Sequence, residues 1–198
     1  MTVIAIGGCS GSGKTELARA LAARLGDCSV LALDSYYHPQ AELSLEERAR
    51  RNYDHPDALE WELLHGHLSA LLRCEPVDVP QYLFDQHTRA AEMLAVAPAS
   101  VVLVEGILAL YRPEIRALSD LRVFVDTAES ECLRRRLDRD TVERGRTVDS
   151  VMDQYRGTVW PMALEYVLPS RKNADLIVSG EHSVAEAVET ILNRWPAR

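Results

Sequence analysis

The sequence predicts an α/β fold, with a central parallel sheet and helices on both faces. Two observations carry that expectation. Short apolar runs alternate along the chain with stretches of helical period, the pattern of strands covered by crossover helices. The first of these runs ends in a glycine-rich segment, Gly8–Thr15, and a helical stretch follows at once. A length of 198 residues suits one domain, read here as 1–198, and 47% hydrophobic residues supply a full core, which excludes disorder.

Each element has its own warrant. Val3–Ile6 is an apolar run ending in glycines and reads as a buried strand. Thr15–Leu25 places Leu17, Leu21 and Leu25 at four-residue spacing, a helix stopped by Gly26. Ser29–Leu33 is a second buried strand, ending at Asp34. Ser44 and Glu47 have the spacing of a capping box, which predicts a short helix. Asp57 can cap a helix to about Leu72 whose apolar side holds Trp61, Leu64, Leu68, Leu71 and Leu72. Val77–Phe84 and roughly Ala90–Val96 predict a side hairpin, about 77–96. Ser100–Val104 is the most apolar strand and runs into Glu105. Leu121–Val125 is another, with Asp126 then read as the cap of the next helix. Helices follow near Ala128–Arg139 and Thr147–Leu164, then a strand at Leu176–Val178 and a helix at Val184–Trp195 closed by Pro196.

Charge and composition exclude several classes. A net charge of −8 argues against nucleic acid or an anionic membrane as partner. The apolar stretch Val101–Tyr111 is interrupted by Glu105 and too short to span a bilayer. The first residues show no leader pattern, since the run from Val3 reaches glycine within four residues. Cys9, Cys28, Cys74 and Cys132 have no zinc-site spacing and read as free thiols, so the expectation is a cytoplasmic protein.

Gly8-Cys9-Ser10-Gly11-Ser12-Gly13-Lys14-Thr15 fits G-x-x-x-x-G-K-S/T. Small residues let successive backbone N–H groups turn inward as an anion nest, and the following helix adds its positive end. Lys14 reaches terminal phosphates, and the Thr15 hydroxyl suits Mg²⁺. The chain has twenty Arg and only two Lys, Lys14 and Lys172. A sequence that otherwise writes Arg keeps Lys where a compact point charge fits and a planar fork does not.

Ligands of such sheets sit beyond the carboxyl ends of the strands. Asp34 there can accept a proton from a hydroxyl attacking a γ-phosphate. Glu105 suits a role behind Mg²⁺ together with Thr15. The loop alone spans GTPases, motor ATPases and kinases. Lys172-Asn173-Ala174-Asp175 has the wrong order for guanine reading, and the short chain favours a small-molecule kinase.

Nearly the whole chain resembles the uridine–cytidine kinase family. The resemblance rests on GGCSGSGKT, on DSYY at Asp34–Tyr37, on NYDHPDALE at Asn52–Glu60 and on the P-x-Y-x-F-x-x-H-x-R frame from Pro80 to Arg89. VEGILALY at Val104–Tyr111, RRRLDRDTVERGR at Arg134–Arg146 and PSRKNADLIV at Pro169–Val178 extend it. It implies a P-loop kinase fold with a β-hairpin and an arginine-rich helical lid at about 134–146, and ATP with Mg²⁺ as phosphoryl donor. It also implies pyrimidine salvage, in which uridine or cytidine is phosphorylated at the 5′-hydroxyl, and a homotetramer. Asp34 would be the base, with Lys14 and Arg139 acting on the phosphates. Asp54 and Arg136 would hold ribose hydroxyls, Tyr82 and His87 the pyrimidine edge, and Phe84 the base face, with Arg146 and Gln154 holding the substrate. Imidazole can accept at one nitrogen and donate at the other, so His87 suits both uracil and cytosine. Arg136 and Arg139 are three apart and share a helix face, which leaves Arg134 and Arg135 mainly solvated.

The chain departs from the family pattern at Leu83, where an acid is usual, and at Trp160, where a basic residue is usual. Leu83 is expected to face away from the base. Cys9 and Gly11 vary inside the loop at positions read through backbone. The rival readings are a phosphoribulokinase-like or pantothenate-kinase-like enzyme and, from another class, a non-catalytic nucleotide-binding regulator.

Overall fold

The structure, a computed structural model, describes residues 1–195. Its centre is a parallel sheet of β1 (Thr2–Gly8), β2 (Cys28–Ala32), β5 (Val101–Glu105), β6 (Leu121–Asp126) and β7 (Leu176–Ser179), ordered β2-β5-β1-β6-β7. Consecutive side chains of a strand point to opposite faces. Val3 and Ala5 of β1 join one core, with Leu31, Val102, Val104 and Phe124. Ile4 and Ile6 join the other, with Leu103, Val123 and Val178. Each face is covered by helices, as the sequence predicts. α3 (Trp61–Leu72) brings Leu64, Leu68 and Leu71 to the first core. α1 (Lys14–Leu25) and the last helix bring Leu17, Leu21 and Ile191 to the second. Burying such an aliphatic side chain stabilises by about 1.5–3 kcal/mol, so the double-sided cover holds the sheet.

Because β1 lies between β5 and β6, the chain leaves it toward one side and returns on the other. The loop after β1 therefore opens at the point where strand order reverses, where a crevice forms. The hairpin stands apart as β3 (Val77–Leu83) and β4 (Thr88–Val96), antiparallel, with a register shift between Pro80 and Tyr82.

Three local expectations are corrected. Asp57 lies in a separate 3-10 turn, Pro56–Ala58, capped by the His55 ring; α3 begins after Glu60. Asp126 does not cap the next helix, α5 (Glu129–Val142); Ala128 holds that place without a side-chain bond, and Asp126 pairs with Arg171 at 3.1 Å. β2 ends at Ala32, and Leu33–Tyr36 is already a 3-10 turn. The capping box at Ser44 and Glu47 forms and opens the short α2 (Leu45–Ala49). A further short helix, α4 (Pro113–Ala117), starts on a proline and buries Ile115. Pro196, the expected stop of the last helix, lies outside the described residues.

Residues 148–170 form one long helix, α6, with wide π turns at Tyr155–Val159 and Ala163–Val167. Val151, Tyr155, Val159, Ala163 and Val167 are all buried, at an interval of four. Four residues of α-helix overshoot a full turn by about 40°. The π turns wind the stripe back, which keeps these five side chains on one face. The last helix is α7 (Val184–Arg194).

Candidate active site

The glycines make the loop. Gly8, Gly11 and Gly13 have φ of 149°, 84° and 95°, a region that side chains other than glycine's rarely adopt. A Cβ on Gly11 would stand 2.2 Å from the Cys132 carbonyl oxygen of α5, so loop and helix touch backbone to backbone. α1 begins at Lys14 with no side chain capping its first turn. Its free N–H groups and positive end face the loop, as an anion site requires. Lys14 is buried. The Thr15 hydroxyl lies 3.3 Å from both oxygens of Glu105 at the end of β5. Burial raises the Glu105 pKa, and Asp34 adds to the rise while Lys14 opposes it.

Lys14, Thr15 and Asp34 line one cleft together with Asp54 and the hairpin. Asp54 is buried, and its pKa is raised chiefly by that burial, against the pull of Arg136. From the hairpin come Tyr82, Phe84 and His87, whereas Leu83 pairs with Thr88 and stays out of the cleft, as expected. His87 sits in the hairpin turn at φ 49° and stacks on Tyr53, ring centroids 5.4 Å apart. Its pKa is lowered by burial and then by Arg146, Arg48 and Arg144, which favours the neutral ring. The Tyr82 hydroxyl is buried without a hydrogen-bond partner. Arg89 fixes the hairpin to the body through Glu60, at 2.5 Å.

The arginines come from α5 and the segment after it. Arg136 is buried and donates to Ser10 Oγ at 2.7 Å and to Gln154 Oε1 at 2.8 Å. Arg146 donates to the same Gln154 oxygen. Arg136 and Arg139 both line the cleft, as their spacing predicts. Arg134 is solvated between Glu131 and Asp138. Arg135 departs from expectation: it reaches the Ser12 carbonyl at 3.4 Å and borders a second cavity with Gly13, Leu17, Gly180 and His182. Trp160 stacks on Tyr155, rings 6.1 Å apart, beside a small recess bounded by Cys9 and Asp54.

The sequence reading missed Tyr37, Tyr53, Ile107 and Arg144, which line the same cleft. All four fall inside the quoted segments, so the segments were the available signal. Arg144 lies 4.2 Å over the Phe84 ring, which its position in a run of arginines does not reveal. Asp140, wholly buried behind the arginines, was missed as well.

An anion nest, a lysine and a carboxylate lining one cleft are the working parts of a P-loop phosphotransferase for a small acceptor. Residues 3–188 match the model of the Phosphoribulokinase / Uridine kinase family, and the chain belongs to that family. It is 41% identical to a uridine kinase of Halobacterium salinarum, covering 98% of this chain and 91% of that protein. It is 46% identical to one of Shewanella piezotolerans, covering 92% and 90%. The fold is similar to that of phosphoribulokinase from Rhodobacter spheroides, with a TM-score of 0.68 at 16% identity, over 90% of this chain and 69% of that one.

Proposed function

We propose that this phosphotransferase moves the γ-phosphoryl group of ATP to the 5′-hydroxyl of uridine and cytidine, giving the nucleoside monophosphates. The observation that carries the reading is the shared cleft. Loop, carboxylate and a polar aromatic hairpin line it together, which supports a triphosphate end meeting a flat polar base there.

Lys14 and the loop N–H groups hold the donor's phosphates. The second cavity, beside Gly13 and Arg135, suits the donor's base. Asp34 takes the proton of the attacking hydroxyl, and Arg139 stabilises charge on the equatorial oxygens. Asp54 accepts from the ribose hydroxyls, and Arg136 donates to them. The neutral His87 ring and the free Tyr82 hydroxyl meet the base edge, and Phe84 lies on its face. Arg146 and Gln154 close the substrate side. The Thr15 hydroxyl and the Glu105 carboxylate offer the oxygen ligands that suit Mg²⁺, which when bound neutralises phosphate charge. Among the described residues there is no cluster of three or more His, Cys, Asp or Glu that could hold a metal, so phosphates and water would complete that shell.

A coupled phosphotransfer assay with ATP·Mg²⁺ tests the reading against uridine, cytidine, deoxycytidine, adenosine and pantothenate. Comparable turnover of uridine and cytidine is expected, and rejection of one would refute the dual role given to His87. Preference for pantothenate would favour the pantothenate-kinase-like reading, and ATP binding without transfer would favour the regulator. The same reading carries a single 1–198 domain, a role in cytoplasmic pyrimidine salvage and a homotetramer, the last checked by light scattering. Among the described residues no helix is long and apolar enough to cross a membrane.

A further inference from the structure

Asp140 has no part in the roles above, yet it is the most enclosed charge of the site, at 0% exposure. Four guanidinium groups surround it. Arg139 reaches Oδ1 with both Nε and Nη2 at 2.8 Å, and Arg144 Nη1 stands 3.5 Å from the same oxygen. Arg136 Nε at 3.6 Å and Arg146 Nη1 at 3.9 Å face Oδ2. Oδ2 receives no hydrogen bond, and Arg136 Nε gives none. One carboxylate thus faces four cations and satisfies only part of their donors. All four arginines line the cleft, while Asp140 lies behind them.

Four like charges around one cleft repel each other, and each buried guanidinium needs an acceptor. Asp140 supplies both the opposite charge and the acceptor. A transferring phosphoryl group, with several charged oxygens in the cleft, is the stronger partner for the same donors.

We propose that Asp140 is a positioning residue that stands in for phosphate: it holds Arg139 and Arg144 aimed into the cleft and releases Arg139 to the reacting phosphoryl oxygens. The release step rests on the kinase reading above; the stand-in role does not.

The test is Asp140→Asn, which removes the charge and keeps the shape. Uridine kcat is expected to fall by about 100-fold, the scale of one lost transition-state donor, with uridine KM within about threefold. Inorganic phosphate, measured by calorimetry, is expected to bind about tenfold more tightly, because the arginines have lost their internal anion. The double variant Arg139→Gln/Asp140→Asn should be no more than about threefold slower than Arg139→Gln alone, since Asp140 acts mainly through Arg139 and only the remainder through Arg144. Additive losses, or unchanged or weaker phosphate binding, would overturn the proposal. If Asp140→Asn does not fold, the wild-type chain still decides. Its Arg139 Nε–H resonance should shift when uridine and a non-hydrolysable ATP analogue are added together, and an unmoved resonance refutes the release. Failure of wild-type nucleoside transfer would count against the kinase reading alone, because tighter phosphate binding by Asp140→Asn would still support the stand-in.

Discussion

Asp34 sits on a 3-10 turn rather than on a strand, and it lines the same cleft as Lys14 and Thr15. An amide of the same shape cannot accept the substrate proton. Asp34→Asn should therefore lower kcat by about 10²–10⁴-fold and leave the ATP Kd within about threefold, as read by steady-state kinetics and calorimetry. Unchanged turnover would remove Asp34 from the base role. Residues of this kind were legible because their chemistry is local: Lys14 stands out in an arginine-rich chain, and Asp34 follows an apolar run. Asp140 was not legible, because its meaning lies in Arg136, Arg139, Arg144 and Arg146 converging on it, and only folding shows which of many acids they choose. Asp126 misled for a related reason, since a distant partner, Arg171, holds the side chain that local spacing assigned to a cap.

The hairpin makes the corresponding case for elements. A two-stranded sheet is marginal alone, so its position depends on attachments to the body. Arg89 bridges to Glu60 just before α3, and Thr88 donates to the Pro39 carbonyl at 2.5 Å. Arg89→Gln should loosen His87 and Tyr82 together and raise uridine KM by about tenfold, equivalent to about 1.4 kcal/mol. ATP affinity should stay unchanged, because the loop is built on β1 and α1 and not on the hairpin; an equal loss for both ligands would contradict this. The hairpin strands were legible from short apolar runs, to within a few residues. The length and shape of α6 were not. Its apolar residues recur at an interval of four, which a straight α-helix cannot keep on one face, and the π turns that resolve the mismatch leave no mark in composition.

For the whole molecule, the site is a cost that the two cores carry. A carboxylate whose pKa is raised on folding, as Glu105's is by burial, opposes stability once ionised. The penalty is absent below the ordinary carboxylate value of 4.5, grows as pH rises through it, and is complete above the raised value. Glu105→Gln should thus melt higher than wild type at pH 7.5 without ligand, by about 2–4 °C, the shift that 1 kcal/mol gives a domain of this size. The difference should vanish in acid, and the variant should lose turnover; an equal or lower Tm at pH 7.5 would contradict the burial argument. The sheet and its double cover were legible because alternation and helical period are averaged over many residues, whereas single caps such as Asp57 were not. The contact between Gly11 and the Cys132 carbonyl has a mechanical consequence. It sets the start of α5 against the loop, and Arg136 ties the next turn to Ser10 and Gln154. Arg139 is seven residues from the Cys132 contact, about 10 Å along the helix axis. Because that distance is a lever, a change of only about 10° in how α5 meets the loop would displace Arg139 by roughly 2 Å, so the bare hydrogen at Gly11 sets the aim of the arginine.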